Sequence, residues 1–239
     1  MPQRQRKTNR TAVLRKFLVD RDLLVPLLIG CAAVLLALVF VQIGSEVTAG
    51  DTRIFDLHLL QTAQSLRAVH PWLAEVMRDL SGLGSTIVLT LFTLATVGYL
   101  ILVRAKTAAF LVAISVISGT VLVSLFKAGF GRLRPEAAYA ELVAAGLSFP
   151  SGHASMSAIV YLTLGTLMAS THHRWAERIY ILLTASLMTL LIGLSRIALG
   201  VHWATDVLGG WAFGAAWAIV WLLLAHQIAR RQRRGLAVN

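Results

Sequence analysis

Six long apolar runs, separated by charged or glycine- and proline-rich segments, set the pattern of this chain. Leu23–Ile43 holds 21 residues without a charge, enough to cross roughly 30 Å of hydrocarbon at about 1.5 Å per helical residue. Pro26 falls in the first turn of that run, where a missing N–H does little harm. Leu83–Val103, Thr107–Phe126, Ala154–Ser170, Ile179–Leu199 and Val207–Ile228 supply five more spans. Gly44–Gly82 is polar enough to leave the membrane. Within it Ile54, Phe55, Leu59, Leu60 and Leu66 recur at near-helical spacing, and Trp72, Leu73, Val76, Met77 and Leu80 repeat the pattern after Pro71. The spacing predicts two short helices lying in the interface and roofing a site, with an ordinary packed loop as the alternative. The expected fold is an all-α polytopic membrane protein. A basic segment (1–22) precedes a six-helix transmembrane domain (23–228), and a basic tail (229–239) follows it.

Composition agrees with that pattern. Of 239 residues, 57% are hydrophobic and only 14% charged, against about 25% charged in soluble domains; the mean hydropathy is +0.73. The net charge of +11 would suit nucleic acid, but the basic residues gather at the chain ends and beside the apolar runs. That distribution marks topology and anionic-lipid contact instead. With six spans, fifteen Lys and Arg fall on the side of both termini and seven on the other, while Asp and Glu divide three to eight in the opposite sense. Both termini are therefore expected in the cytoplasm. The 128–152 and 200–206 loops would face the periplasm or exterior. The single Cys31 excludes an internal disulfide, and the first apolar run is longer than a cleavable signal core.

The segment 195–206 breaks the apolar pattern with Arg196, His202 and Asp206. His202 and Asp206 are four apart, so on a helix they share a face, and the carboxylate can accept an imidazole N–H and leave the other nitrogen free. Charges beside hydrocarbon cost roughly 2.5–3.5 kcal/mol each on insertion scales, which makes such a cluster functional by default. Two further segments fall at the same membrane surface: Lys127 with Arg134-Pro135, and Pro150-Ser151-Gly152-His153. Three cations suit an anion with several oxygens. Ser151, Gly152 and His153 stand where a helix N-terminus would present free N–H groups to phosphate. A phosphoryl group matches this donor set. His202 could attack phosphorus, and His153 could protonate the departing oxygen and then activate water.

These three segments, Lys127-x6-Arg134-Pro135, Pro150-Ser151-Gly152-His153 and Ser195-Arg196-x5-His202-x3-Asp206, resemble the three-part signature of the type 2 phosphatidic acid phosphatase superfamily, on its membrane lipid phosphatase and undecaprenyl pyrophosphate phosphatase branch. The resemblance implies a metal-independent lipid phosphatase without a cofactor, with His202 as nucleophile oriented by Asp206 and His153 as acid. It further implies Lys127, Arg134, Ser151, Gly152, His153 and Arg196 around the phosphate. The implied substrate is a terminal phosphate on a phospholipid or isoprenoid lipid in the bilayer, with no nucleic-acid partner. Residues 1–82 carry no motif.

Other readings of the same residues stay open. Lys127 alone could snorkel, Ser151 could cap a helix, and His202 with Asp206 could be half a metal site, although nearby carboxylates are few. A lipid phosphotransferase would share the first half-reaction, and a transporter could bind an anionic headgroup without chemistry. His172 and His173 fall in the cytoplasmic turn, and His58, His70 and His226 have no charged partner at a telling interval. Gly209, Gly210 and Gly214 suit close helix packing. Trp203, Trp211, Trp217 and Trp221 suit packing or interface anchoring.

Overall fold

A computed structural model describes residues 21–236, with side chains from 24 to 231, and every regular element in that range is helical. The basic N-terminal segment lies outside the described residues except for its last two positions. The helices are α1 (Arg21–Ala49), α2 (Arg53–Val69), α3 (Trp72–Gly82), α4 (Thr86–Leu102), α5 (Lys106–Phe130), α6 (Gly152–Ser170), α7 (Trp175–Ala198) and α8 (Ala204–Leu236), with a 3₁₀ turn at Ala137–Tyr139.

Every apolar run of the sequence becomes a helix, but the boundaries move. α1 continues to Ala49 and takes in residues read as loop. α5 continues to Phe130, so Lys127 lies in its last turn rather than beyond its end. Five stretches are long and apolar enough to cross a membrane: Leu24–Ala49, Trp72–Leu102, Lys106–Phe130, Trp175–Ala198 and Ala204–Arg231. The 19-residue α6 is not among them. It packs chiefly against α7 and α8 and also touches α4 and α5, and its Ser155, Ser157 and Thr163 are buried. A helix enclosed by other helices does not need the hydropathy of one facing lipid.

Close approach of α6 and α8 depends on small residues. A Cβ on Gly210 would stand 2.9 Å from the Ser151 carbonyl oxygen, and one on Gly214 2.5 Å from that of Ser155. At the same end of the bundle, Phe40, Phe126, Phe130, Phe149 and Phe213 form an aromatic plug; Phe130 and Phe149 meet edge to face at 4.7 Å between centroids. This plug ties α1 to α5, α8 and the 131–151 loop. It holds the chain that delivers the Pro150 segment to α6.

Residues 53–69 and 72–82 are helical, which removes the packed-loop alternative. α2, however, is inverted relative to a soluble helix. Ile54, Phe55 and Leu66 are exposed, whereas Asp56, Leu60 and Arg67 are buried. Ile54, Phe55 and Leu66 face away from the protein, while Asp56 and Arg67 face inward beside Leu60.

Candidate active site

Four helix ends meet at one end of the bundle: the C-termini of α5 and α7 and the N-termini of α6 and α8. Local sequence explains each stop. α5 ends on Gly131 in the left-handed conformation (φ 62°), where a glycine is unstrained. α6 starts at Gly152 after Ser151, whose N–H donates to the Asp206 carbonyl oxygen at 2.9 Å. α7 ends in the Leu199–Gly200 turn, in which Gly200 has φ 70°.

The 195–206 stretch is therefore not one helix. His202 precedes α8, and Asp206 lies in its first turn. The two still meet, His202 Nδ1 being 3.2 Å from Asp206 Oδ2, because Oδ2 also accepts the Trp203 N–H at 2.9 Å and closes the loop onto the helix start. Ser148 Oγ donates to the same oxygen at 2.8 Å. With the carboxylate as acceptor, Nδ1 carries the proton and Nε2 the lone pair. His202 is 1% exposed and Asp206 is fully enclosed. Burial pushes the His202 pKa down to about 4, although the Asp206 hydrogen bond pulls the other way. His202 is thus a neutral base at ordinary pH.

The other expected residues gather in the same cluster, with Arg134 against Nε2. Arg134 Nη1 lies 3.0 Å from it and also donates to the Val201 carbonyl at 2.7 Å, while its Nε is held by the Ala145 and Gly146 carbonyls. Lys127 Nζ donates to the Leu147 carbonyl at 2.6 Å, and its Cε would be 3.9 Å from a Cβ on Gly152. Arg196 Nη1 donates to Ser81 Oγ at 2.5 Å. His153, in the first turn of α6, lies within electrostatic reach of Arg196, Arg134, Lys127 and His202. The structure brings all eight expected residues to one place.

Two of them are unsatisfied. Arg196 Nε and Ser151 Oγ are buried without a hydrogen-bond partner. The first-turn N–H groups of α6 also have no intrahelical acceptor. Unpaired buried donors of this kind cost roughly 1–3 kcal/mol each, and here both side-chain donors belong to residues of the cationic cluster around His202 and His153. An anion with several oxygens would satisfy them. From Lys127, Gly152 and His153 a cavity of about 220 Å³ runs between α4, α5 and α6, past Thr86, Thr90, Thr120 and Ser124 to Val116 and Met156.

Comparison with known proteins agrees with this geometry. The PAP2 superfamily profile matches residues 107–230, more than half of the chain. The chain belongs to the PAP2 superfamily. This PAP2 chain is 30% identical over 186 residues to phosphatidylglycerophosphatase B of Bacillus subtilis (strain 168), across 75% of its own length and 87% of the relative. The crystal structure of the transmembrane PAP2-type phosphatidylglycerolphosphate phosphatase from Bacillus subtilis superposes with a TM-score of 0.76 at 26% identity, covering 82% of this chain and 96% of that one. LpxE of Aquifex aeolicus superposes with a TM-score of 0.54 at 28% identity, covering 70% and 94%. The PAP2 chain is a multi-pass membrane protein and a lipid phosphatase of the PAP2 class.

Sequence reasoning missed the supports of this PAP2 site. Arg132 sits inside the interval between Lys127 and Arg134 but counted only as a topology charge. It bridges Asp206 Oδ1 at 2.7 Å and Asp56 Oδ2 at 2.6 Å. Ser81, which holds Arg196, comes from α3. Arg67 of α2 donates to the Tyr139 carbonyl at 2.7 Å, to the Ala198 carbonyl, and to Glu141 at 3.2 Å. A buried-charge spacing of Asp56 and Arg67 along one helix was the available signal.

Gly200 is the tightest point of the frame. A Cβ there would overlap the Tyr139 carbonyl oxygen, and the backbone already has positive φ. Gly200→Ala is expected to displace the loop that carries His202, lowering Tm by about 5 °C or more and phosphate release at least roughly tenfold. Thermal unfolding in detergent and a phosphate assay check both values.

Proposed function

We propose that this protein removes the terminal phosphate of a membrane phospholipid at the extracytoplasmic face, through a phosphohistidine on His202 and without a metal. The supporting observation is the buried His202–Asp206 pair, whose Nε2 meets Arg134 Nη1 at 3.0 Å in a cluster that also holds Lys127, Arg196 and the unpartnered Ser151 Oγ and Arg196 Nε. On binding, phosphate oxygens take over the Arg134 contact to Nε2 and engage Lys127, Arg196, Ser151 Oγ and the N–H groups of Gly152 and His153. Nε2 attacks phosphorus, and the bond from phosphorus to the lipid oxygen breaks as His153 protonates that oxygen. Water then attacks the phosphohistidine, His153 accepts its proton, the P–N bond breaks and inorganic phosphate leaves. Asp206 balances the positive charge that His202 carries between the two steps. The guanidinium and ammonium groups hold the equatorial oxygens throughout.

Several features favour a lipid approaching from the side. The cavity beyond His153 lies between helices that carry exposed Phe92, Ile117 and Val121. Its threonine and serine hydroxyls suit the polar linker between a terminal phosphate and acyl chains. Phosphatidylglycerophosphate, the lipid named for the Bacillus relative, is the first candidate. The charge asymmetry supports cytoplasmic termini with the site outside, α6 counting as the sixth crossing.

Phosphate release from purified protein over phosphatidylglycerophosphate, phosphatidic acid, undecaprenyl pyrophosphate and lipid A phosphate tests the reading. Turnover of none of them would overturn it. Among the described residues no three His, Cys, Asp or Glu side chains converge as metal ligands. A chelator at millimolar level is therefore expected to leave the rate unchanged; restoration of a lost rate by added divalent cation would contradict the metal-free route.

A further inference from the structure

Asp206 is held from behind as well as from the front. Its Oδ2 serves His202, Trp203 N–H and Ser148, while Oδ1 accepts Arg132 Nη1 at 2.7 Å. The other arm of Arg132 reaches Asp56 Oδ2 at 2.6 Å and Thr52 Oγ1 at 3.3 Å on and before α2. Asp56 is fully enclosed and is itself fully engaged: Oδ1 accepts the Thr205 N–H at 2.9 Å, and Oδ2 accepts Thr205 Oγ1 at 2.7 Å. Arg132 Nη1 also donates to Thr205 Oγ1 at 2.8 Å, and its guanidinium lies 5.4 Å from the Trp203 ring centre. One guanidinium thus spans two buried carboxylates, and the residues around the second carboxylate are the neighbours of the first.

We propose that Arg132 and Asp56 are positioning residues for the nucleophile: Asp56 aims Arg132, Arg132 fixes the Asp206 carboxylate, and Asp206 thereby sets the orientation and basicity of His202. The proposal rests on His202 acting as nucleophile. A planar fork with two fixed acceptors leaves Asp206 a single orientation. A water in its place would bring no charge, and a lysine would meet both carboxylates from one freely rotating nitrogen rather than from the two fixed nitrogens that hold Asp206 and Asp56 here. The buried triplet of Asp56, Arg132 and Asp206 carries one net negative charge, and this surplus lies behind the imidazole that becomes cationic during turnover. Replacing either outer member changes that surplus in a known direction. Arg132→Gln removes a positive charge and makes it easier to protonate His202. Asp56→Asn removes a negative charge and makes it harder. The remaining charged or titratable groups around the pair are Arg134 from the loop after α5, Arg196 from α7, His153 from α6 and Lys127 from α5; none is altered in these variants.

The test measures kcat, KM and the acid limb of kcat/KM for Asp56→Asn, Arg132→Gln, Arg132→Lys and the double variant Asp56→Asn/Arg132→Gln, with a phosphatidylglycerophosphate or phosphatidic acid substrate. Each single variant is expected to lose roughly tenfold to a hundredfold in kcat with little change in KM. The acid limb should move upward in Arg132→Gln and downward in Asp56→Asn, each on the order of one pH unit. The double variant restores the net charge and should return the limb to the wild-type position. Arg132→Lys should keep the limb near wild type, since the charge is kept, while losing kcat because the fork is lost. Single variants with wild-type kcat and limb, or limbs that move in the same direction, would overturn the proposal. So would loss of folded protein in all of them, because the triplet would then serve folding alone. His202→Ala run in parallel separates the two levels: phosphate release surviving in it rejects the nucleophile reading itself, whatever the outer variants do.

Discussion

His202→Ala is expected to lower phosphate release by at least about 10⁴-fold while the protein stays folded and inserted. On the proposed route, removal of the attacking nitrogen leaves only the cation cluster, which could bind phosphate without offering it a bond. Trapping with labelled substrate should give an acid-labile, base-stable phosphoprotein in the wild type and none in the variant. Residual activity within tenfold of wild type would reject the covalent route. The same residue predicts the shape of the pH profile. Burial lowers the His202 pKa from 6.5 to about 4, so the free base persists as pH falls through the ordinary imidazole range. kcat/KM should hold from neutrality down to about pH 5 and fall as pH drops through about 4. The sign for stability is also fixed. Between 6.5 and 4 the unfolded chain takes up a proton that the native chain refuses, so acidification in this window works against the fold. An acid limb at 6.5 would mean that His202 is not the group whose protonation stops the reaction.

The second large effect is expected at His153. His153→Asn keeps a polar side chain at the start of α6 but cannot donate a proton to a departing alkoxide, and general acid catalysis contributes roughly 10²–10⁴-fold. Hydrolysis of a phospholipid should fall by that amount. An aryl phosphate whose phenolate leaves unprotonated should suffer much less in its first step, so the variant accumulates phosphoenzyme with the aryl substrate and not with the lipid. Equal losses on both substrates would assign His153 to phosphate binding rather than proton transfer.

The residues proposed to bind and attack the phosphate, with the carboxylate behind the nucleophile, were legible in the sequence, and those that hold them were not. Lys127, Arg134, His153, Arg196, His202 and Asp206 stand out because charge beside apolar runs is costly and because the reaction restricts the residue types. Arg132 is equally charged and lies between two of them. Yet a lone arginine in a loop gives no sign of its partner, and Asp56 lies 76 positions away. α2 hid its role for a related reason. Its apolar positions showed the helical period, but several of them (Ile54, Phe55, Leu66) mark the surface turned from the protein, as suits a helix beside lipid. The His202–Asp206 contact was found through helical spacing although His202 is outside the helix; the Trp203 N–H on the same carboxylate creates a pairing that mimics one turn. The helix order followed from apolar length, whereas α1 and α5 run on past their apolar stretches to Gly50 and Gly131, both at positive φ.

α2 has its charged edge locked to the reaction centre and its greasy edge turned outward, so the segment joining α1 to α4 cannot be exchanged as an independent module. A graft of this segment from another lipid phosphatase, made to alter which headgroup is accepted, would remove the groups that grip Arg132, the Tyr139 carbonyl and Arg196. Such a hybrid regains turnover only when Asp56, Arg67 and Ser81 travel back with it.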